Sequence, residues 1–97
     1  MIYIAHKYNA RLIEILNDNI LILLVELETN HYKLFNCNLI NVDISKIEKR
    51  DIDYMIKFNL DVVIEVMNYT PPDEIDVLVW SNGVNVNNML KKKLLIK

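Results

Sequence analysis

Five short apolar runs, each closed by a turn rich in Asn, Asp or Pro, constrain this chain more than any other feature. Runs of this length suit strands rather than helices, and turns this short join strands that lie side by side. Residues 8 to 16 place Ala10, Leu12 and Leu16 on one side and Arg11, Ile13 and Ile15 on the other, which predicts a strand covered on most of both faces. Asn17-Asp18-Asn19 follows as a turn, because Asn and Asp tolerate left-handed backbone angles. Residues 20 to 27 read as a buried strand, Glu28-Thr29-Asn30 as a second turn, and residues 31 to 40 as a third strand. Three strands joined by short turns make a meander.

The period then changes. Ser45-Lys46-Ile47-Glu48 matches a capping box, in which the Ser hydroxyl and the Glu carboxylate each satisfy an unpaired backbone N–H. Behind it Ile47, Ile52, Met55, Ile56 and Leu60 form one stripe of a helix over residues 46 to 59. Residues 61 to 68 return to alternation, with Val62, Ile64 and Val66 against Val63, Glu65 and Met67. Residues 69 to 74 carry Pro71 and Pro72 and read as loop, since proline cannot donate to a ladder. Residues 75 to 80 form a fifth strand, and Ser81-Asn82-Gly83 is a turn with the single Gly where positive φ is cheapest. Val86, Met89, Leu90 and Leu94 mark a terminal helix within residues 84 to 97. The order β-β-β-α-β-β-α is that of a five-stranded OB-fold, a small Greek-key barrel that is mainly β with helices, one of which plugs the barrel end.

At 97 residues, with 53% apolar positions, the chain builds one core and reads as one domain, 1–97. Its longest apolar run is Ile20 to Val25, far short of the ~20 residues of a membrane span, so no membrane partner is expected. The start of the sequence does not resemble a signal peptide and Cys37 is the lone cysteine, so an intracellular, reducing compartment is expected. Residues 1 to 89 hold 7 Lys and Arg against 13 Asp and Glu, while Lys91, Lys92, Lys93 and Lys97 bring the net charge to −2. An acidic body with a basic helix end argues against avid duplex binding, and cations suit the C-terminus of a helix.

Three phrases, in this order, resemble the staphylococcal (micrococcal) nuclease family, a variant of the OB-fold. Residues 9 to 20, Asn9-Ala10-Arg11-Leu12-Ile13-Glu14-Ile15-Leu16-Asn17-Asp18-Asn19-Ile20, are similar to that family's opening strand and its Asp-Gly-Asp-Thr turn. Leu39-Ile40-Asn41-Val42-Asp43 is similar to its Leu-x-x-Val-Asp segment. Asn82-Gly83-Val84-Asn85-Val86-Asn87-Asn88-Met89-Leu90 is similar to the Asp-Gly-x-x-Val-Asn-x-x-Leu start of its second long helix. The match covers residues 8 to 95 and stops where the family normally adds one more helix.

The resemblance implies phosphodiester hydrolysis with calcium, a hard cation that needs oxygen ligands. Matched position by position, most of that machinery is altered. Asn19 stands for one ligand Asp, while Asp43 retains the other carboxylate. Lys46 stands where the family has its general-base Glu, and Asn38 where it has a phosphate-clamping Arg. The second clamping Arg falls in Asp73-Glu74-Ile75, which has none. Asn19, Asn38, Asp43 and Lys46 thus form a degenerate site. The expectation is a pseudo-nuclease with no catalytic residues, no metal and no cofactor, acting by binding; a divergent calcium-dependent nuclease is the enzymatic alternative.

Other chemistry is weakly signalled. His6, His31 and Cys37 lack zinc-ligand spacing, and no Gly-rich phosphate loop exists. Arg11, Tyr32, Lys33 and Phe35 form a possible nucleic-acid-binding face, since OB-folds hold single strands with aromatic and basic side chains, and Lys7 could add charge. The plain alternative is that Phe35 and Trp80 fill the barrel. The apolar segment Met1 to Ala5, within residues 1–7, is a candidate extra edge strand for a second chain. Expected partners are therefore another protein or a second copy of the chain, with single-stranded nucleic acid as the alternative.

Overall fold

A computed structural model describes residues 2–16, 20–43, 46–48, 50, 52 and 61–96. Strands β1 (Lys7–Ile15), β2 (Leu21–Glu28) and β3 (His31–Leu39) form the antiparallel meander. Strands β4 (Asp61–Thr70) and β5 (Glu74–Ser81) form a hairpin, and β4 returns to pair with β1. Parallel pairing of β3 with β5, from Asn36↔Glu74 to Leu39↔Val77, closes the sheet into a five-stranded OB-fold barrel. A two-residue strand β6 (Val84–Asn85) adds to β5 and leads into the helix α1 (Val86–Ile96).

The barrel follows from period-two alternation. Ala10 and Leu12, Leu21, Leu23 and Val25, Phe35, Cys37 and Leu39, Val62, Ile64 and Val66, and Ile75, Val77 and Val79 all point inward and are buried. β1 is covered on its inner face alone, because Arg11 and Ile13 are exposed, which corrects the expectation of a strand covered on both faces. A register shift between Leu12 and Glu14 explains why the run looked two-sided: one extra residue at Ile13 breaks the alternation.

The strands run longer around the prolines than the sequence suggests. Tyr69 pairs with Ile75 and Thr70 with Glu74, so the turn is confined to residues 71 to 73. Only the prolines lack an N–H; their neighbours remain able to pair. Asn30 (φ 64°), Asn82 (φ 52°) and Gly83 (φ 79°) take left-handed angles at the turns, as anticipated from residue type.

The segment before β1 is not an added edge strand over residues 2–6. Ala5 (φ 64°) bends it back, its N–H bonds to Val66 O at 2.6 Å, and Ile2 is buried in the core. An apolar start is better satisfied by covering the barrel than by standing at its rim. Of the first expected helix, Arg50 and Ile52 are helical and Ile47 and Ile52 are buried, but residues 46 to 48 are not α-helical, which corrects the expected start at residue 46; Ser45 and residues 53–60 lie outside the described residues. The terminal helix starts at Val86, two residues into the expected segment, and buries Val86 and Leu90 while Met89 is exposed. Among the described residues no helix is long and apolar enough to cross a membrane.

Candidate functional site

Strand β3 carries Asn38 on the outer side of the parallel seam, opposite Asp76 of β5. Its amide nitrogen donates to Glu74 Oε1 at 3.1 Å and to Asp76 Oδ1 at 3.2 Å. Where the nuclease resemblance would need a guanidinium to clamp phosphate, the chain thus holds a neutral amide facing two carboxylates. Such a patch repels a phosphodiester. Asp43 and Lys46 are exposed just beyond β3, and the Lys46 N–H donates to the Asp43 carbonyl at 3.1 Å. Asn19 lies outside the described residues.

The described donors differ from the set that the resemblance implies. Asp43 is followed three residues later by an ammonium rather than a carboxylate, and the amide hydrogens of Asn38 already engage Glu74 and Asp76. Among the described residues no group of three His, Cys, Asp or Glu side chains is placed to hold a metal ion.

The four residues of the expected nucleic-acid face separate. Arg11 and Tyr32 are on the outer surface, where they line an open groove of about 230 Å³ with Asn9, Leu24, Glu26 and Asp61. Arg11 Nε donates to Asp61 Oδ1 at 2.6 Å, and this bond and charge hold the guanidinium above its usual pKa. Tyr32 is 56% exposed, and its hydroxyl is bonded to Glu26, which pushes its pKa upward. Lys33 and Phe35 belong to the opposite parity of β3. Phe35 is 2% exposed and fills the barrel, so it is removed from the proposed face. The Lys33 ammonium sits 5.0 Å from the Phe35 ring centroid and donates to Pro72 O at 3.0 Å. Tyr69 Oη donates to the same carbonyl at 3.0 Å and packs its ring edge against Phe35, so this cluster ties the β4–β5 turn to β3.

Trp80 does not fill the barrel. It is half-buried on the outer side of β5, with Lys7 Nζ 5.1 Å from its ring centroid, beside an open groove of about 430 Å³. Parity was the available signal, since Asp76, Leu78 and Trp80 alternate with buried Ile75, Val77 and Val79. Cys37 is buried and its thiol is pushed up to about 12 by burial, with Sγ donating to Phe35 O at 3.5 Å, so it is protonated and inert at neutral pH. His31 lies at the surface, with Nδ1 3.5 Å from Glu28 Oε2.

The outer surface of β1, β2 and β3 carries several exposed apolar side chains. Leu24 pairs with Leu34, and Ile22 with Asn36. Ile13, Leu34 and Tyr32 are 41%, 51% and 56% exposed on this surface. The surface and its rim carry Arg11, paired with Asp61, and Lys7, against the carboxylates of Glu14, Glu26, Glu28 and Asp61. When the chain is compared with known proteins, no family model, no curated protein and no solved structure matches it.

Proposed function

We propose that this protein is a non-catalytic binding module, a pseudo-nuclease by resemblance, whose ligand is polypeptide. The observation that carries this reading is the state of the outer barrel surface. Its apolar side chains are exposed, while two of the cations expected on the nucleic-acid face are engaged within the chain: Arg11 by Asp61 and Lys33 by the Pro72 carbonyl. Asn38 facing Glu74 and Asp76 supports the same conclusion at the seam. A single-stranded nucleic-acid ligand is the second reading, favoured by the exposed ring of Tyr32 and by Trp80 with Lys7 beside an open groove.

Three measurements on the full chain test the proposal. Hydrolysis of single-stranded DNA with calcium is expected to stay at the level of Asp43→Ala. Anisotropy of labelled DNA is expected to stay flat even at low salt, where any phosphate contact is strongest. Panning a displayed random-peptide library against the chain is expected to yield binders. A hydrolysis rate abolished by Asp43→Ala, or tight salt-sensitive DNA binding, overturns the proposal.

A further inference from the structure

The seam between β3 and β5 covers only half of β3. Asn36 N–H bonds to Asp73 O at 2.8 Å and Ile40 N–H to Val77 O at 3.1 Å, so the even-numbered residues of β3 direct their backbone groups toward β5. Pairing with β5 begins at Asn36. By the alternation of a strand, Tyr32 and Leu34 direct their N–H and C=O groups the same way, and among the described residues no strand meets them there. Among the described residues the barrel thus has an open edge of about two residue pairs. The side chains at these positions, Tyr32 and Leu34, are also the most exposed apolar groups of its strands.

We propose that this edge binds an extended polypeptide segment by strand addition, and that the segment places an apolar residue beside Leu34 and a Lys or Arg two positions along, beside Tyr32. The inference rests on the polypeptide-binding reading and adds the partner's chemistry to it. Residues two apart on an added strand share a face, so both side chains would lie on the outer surface. The apolar one would cover Leu34 and Leu24, which form a cross-strand pair. The cation would reach Glu26, whose carboxylate is already oriented by the Tyr32 hydroxyl and retains further acceptor sites. Glu14, Glu28 and Asp61 extend the negative field around it.

A second copy of the chain fits this edge poorly. It would bring the same excess of carboxylates to the junction, and a second Lys33 against the first. Lysine on an edge strand is a common guard against self-pairing. Here its side chain turns to the Pro72 carbonyl on the opposite face, which leaves the outer surface to a basic partner.

Amide hydrogen exchange by NMR, with the peptides recovered from the displayed library, tests the inference. In the unliganded chain the Tyr32 and Leu34 amides are expected to exchange much faster than those of Lys33 and Phe35, which face β2. Binding is expected to slow the first pair at least about tenfold. The recovered peptides are expected to share an apolar residue two positions from a Lys or Arg. Glu26→Lys is expected to weaken them about tenfold, and Leu34→Ser similarly; Leu34 is exposed and Glu26 half-buried on the outer surface, so neither substitution removes a core side chain. Slow exchange of Leu34 in the unliganded chain would show that the edge is already covered and overturn the inference. Peptides that bind without protecting Tyr32 and Leu34, or that are indifferent to Glu26→Lys, would overturn it while leaving the binding-module reading intact. A concentration-dependent dimer abolished by Leu34→Ser would assign the edge to self-association instead. Failure to recover any peptide would overturn the inference together with the polypeptide ligand it rests on, and DNA binding beside that failure would assign the surface to nucleic acid.

Discussion

Asn87 is 3% exposed and replaces a missing strand with one amide. β3 accompanies β5 only to Val77, and β6 resumes at Trp80, so the Val79 N–H between them has no strand partner. Asn87 Oδ1 accepts that N–H at 2.9 Å, while Nδ2 donates to the carbonyls of Val77 and Ile40, each at 3.0 Å. Truncation to Ala would strand buried groups at about 1–3 kcal/mol each. Asn87→Ala is therefore expected to lower unfolding stability by about 2–4 kcal/mol in urea titrations, and a loss under about 1 kcal/mol would contradict this role. Cys37 makes a prediction in pH. Its folded pKa is raised to about 12 from an ordinary 9.0, so its contribution is fully present below pH 9 and is lost as pH rises from there toward 12. Between pH 9 and 10 the wild type should lose stability more steeply than Cys37→Ala, and parallel curves would contradict the buried thiol. Asn87 was visible within a motif, but its task was not: a buried amide and an exposed one are the same letter until the strand ends around it are known.

The last strand and helix depend on a short turn. Asn82 and Gly83 both take positive φ between the paired residues Ser81 and Val84, the pattern of a type I′ hairpin. A Cβ on Gly83 would meet nothing within 4 Å, so the cost of Gly83→Ala is backbone strain alone. It is expected to be about 1–2 kcal/mol by thermal denaturation, and no change would mean that the turn relaxes. In α1, Leu90 is fully buried and Met89 is 42% exposed. Leu90→Ala should cost about 2–5 kcal/mol and Met89→Ala within about 0.5 kcal/mol, a contrast readable from one denaturation series. The five strands and the terminal helix were legible to within a residue or two because alternation and turn residues are local signals, whereas the first helix was expected from residue 46 and residues 46 to 48 are not α-helical. The extension of β4 and β5 around Pro71-Pro72 was not legible, because a strand's length depends on what pairs with it.

For the whole molecule, one apolar core joins five strands, and every strand reaches the next through buried side chains. A chain of this size holds on the order of 5–15 kcal/mol against unfolding. Leu23→Ala and Ile64→Ala each remove a fully buried side chain, from β2 and β4, at about 2–5 kcal/mol. Each single variant is expected to fold with a lowered midpoint, and the double variant to be largely unfolded at 37 °C by circular dichroism. A double variant as stable as either single one would show that the core is not one cooperative unit. The candidate site is less legible than the core. Parity alone could place Tyr32 outward and Phe35 inward. It could not foresee that Arg11 would meet Asp61, fifty residues away, or that Asn38 would face Glu74 and Asp76.

The chain's own pattern of apolar residues determined the strands, their inward faces and the turns, because burial and backbone preference act over a few residues at a time. Tertiary structure alone decided which charges neutralise one another, where the β3–β5 seam begins, and hence which two residues of β3 meet no strand on that side among the described residues. Those outcomes depend on distances between residues far apart in sequence, and no local preference encodes them.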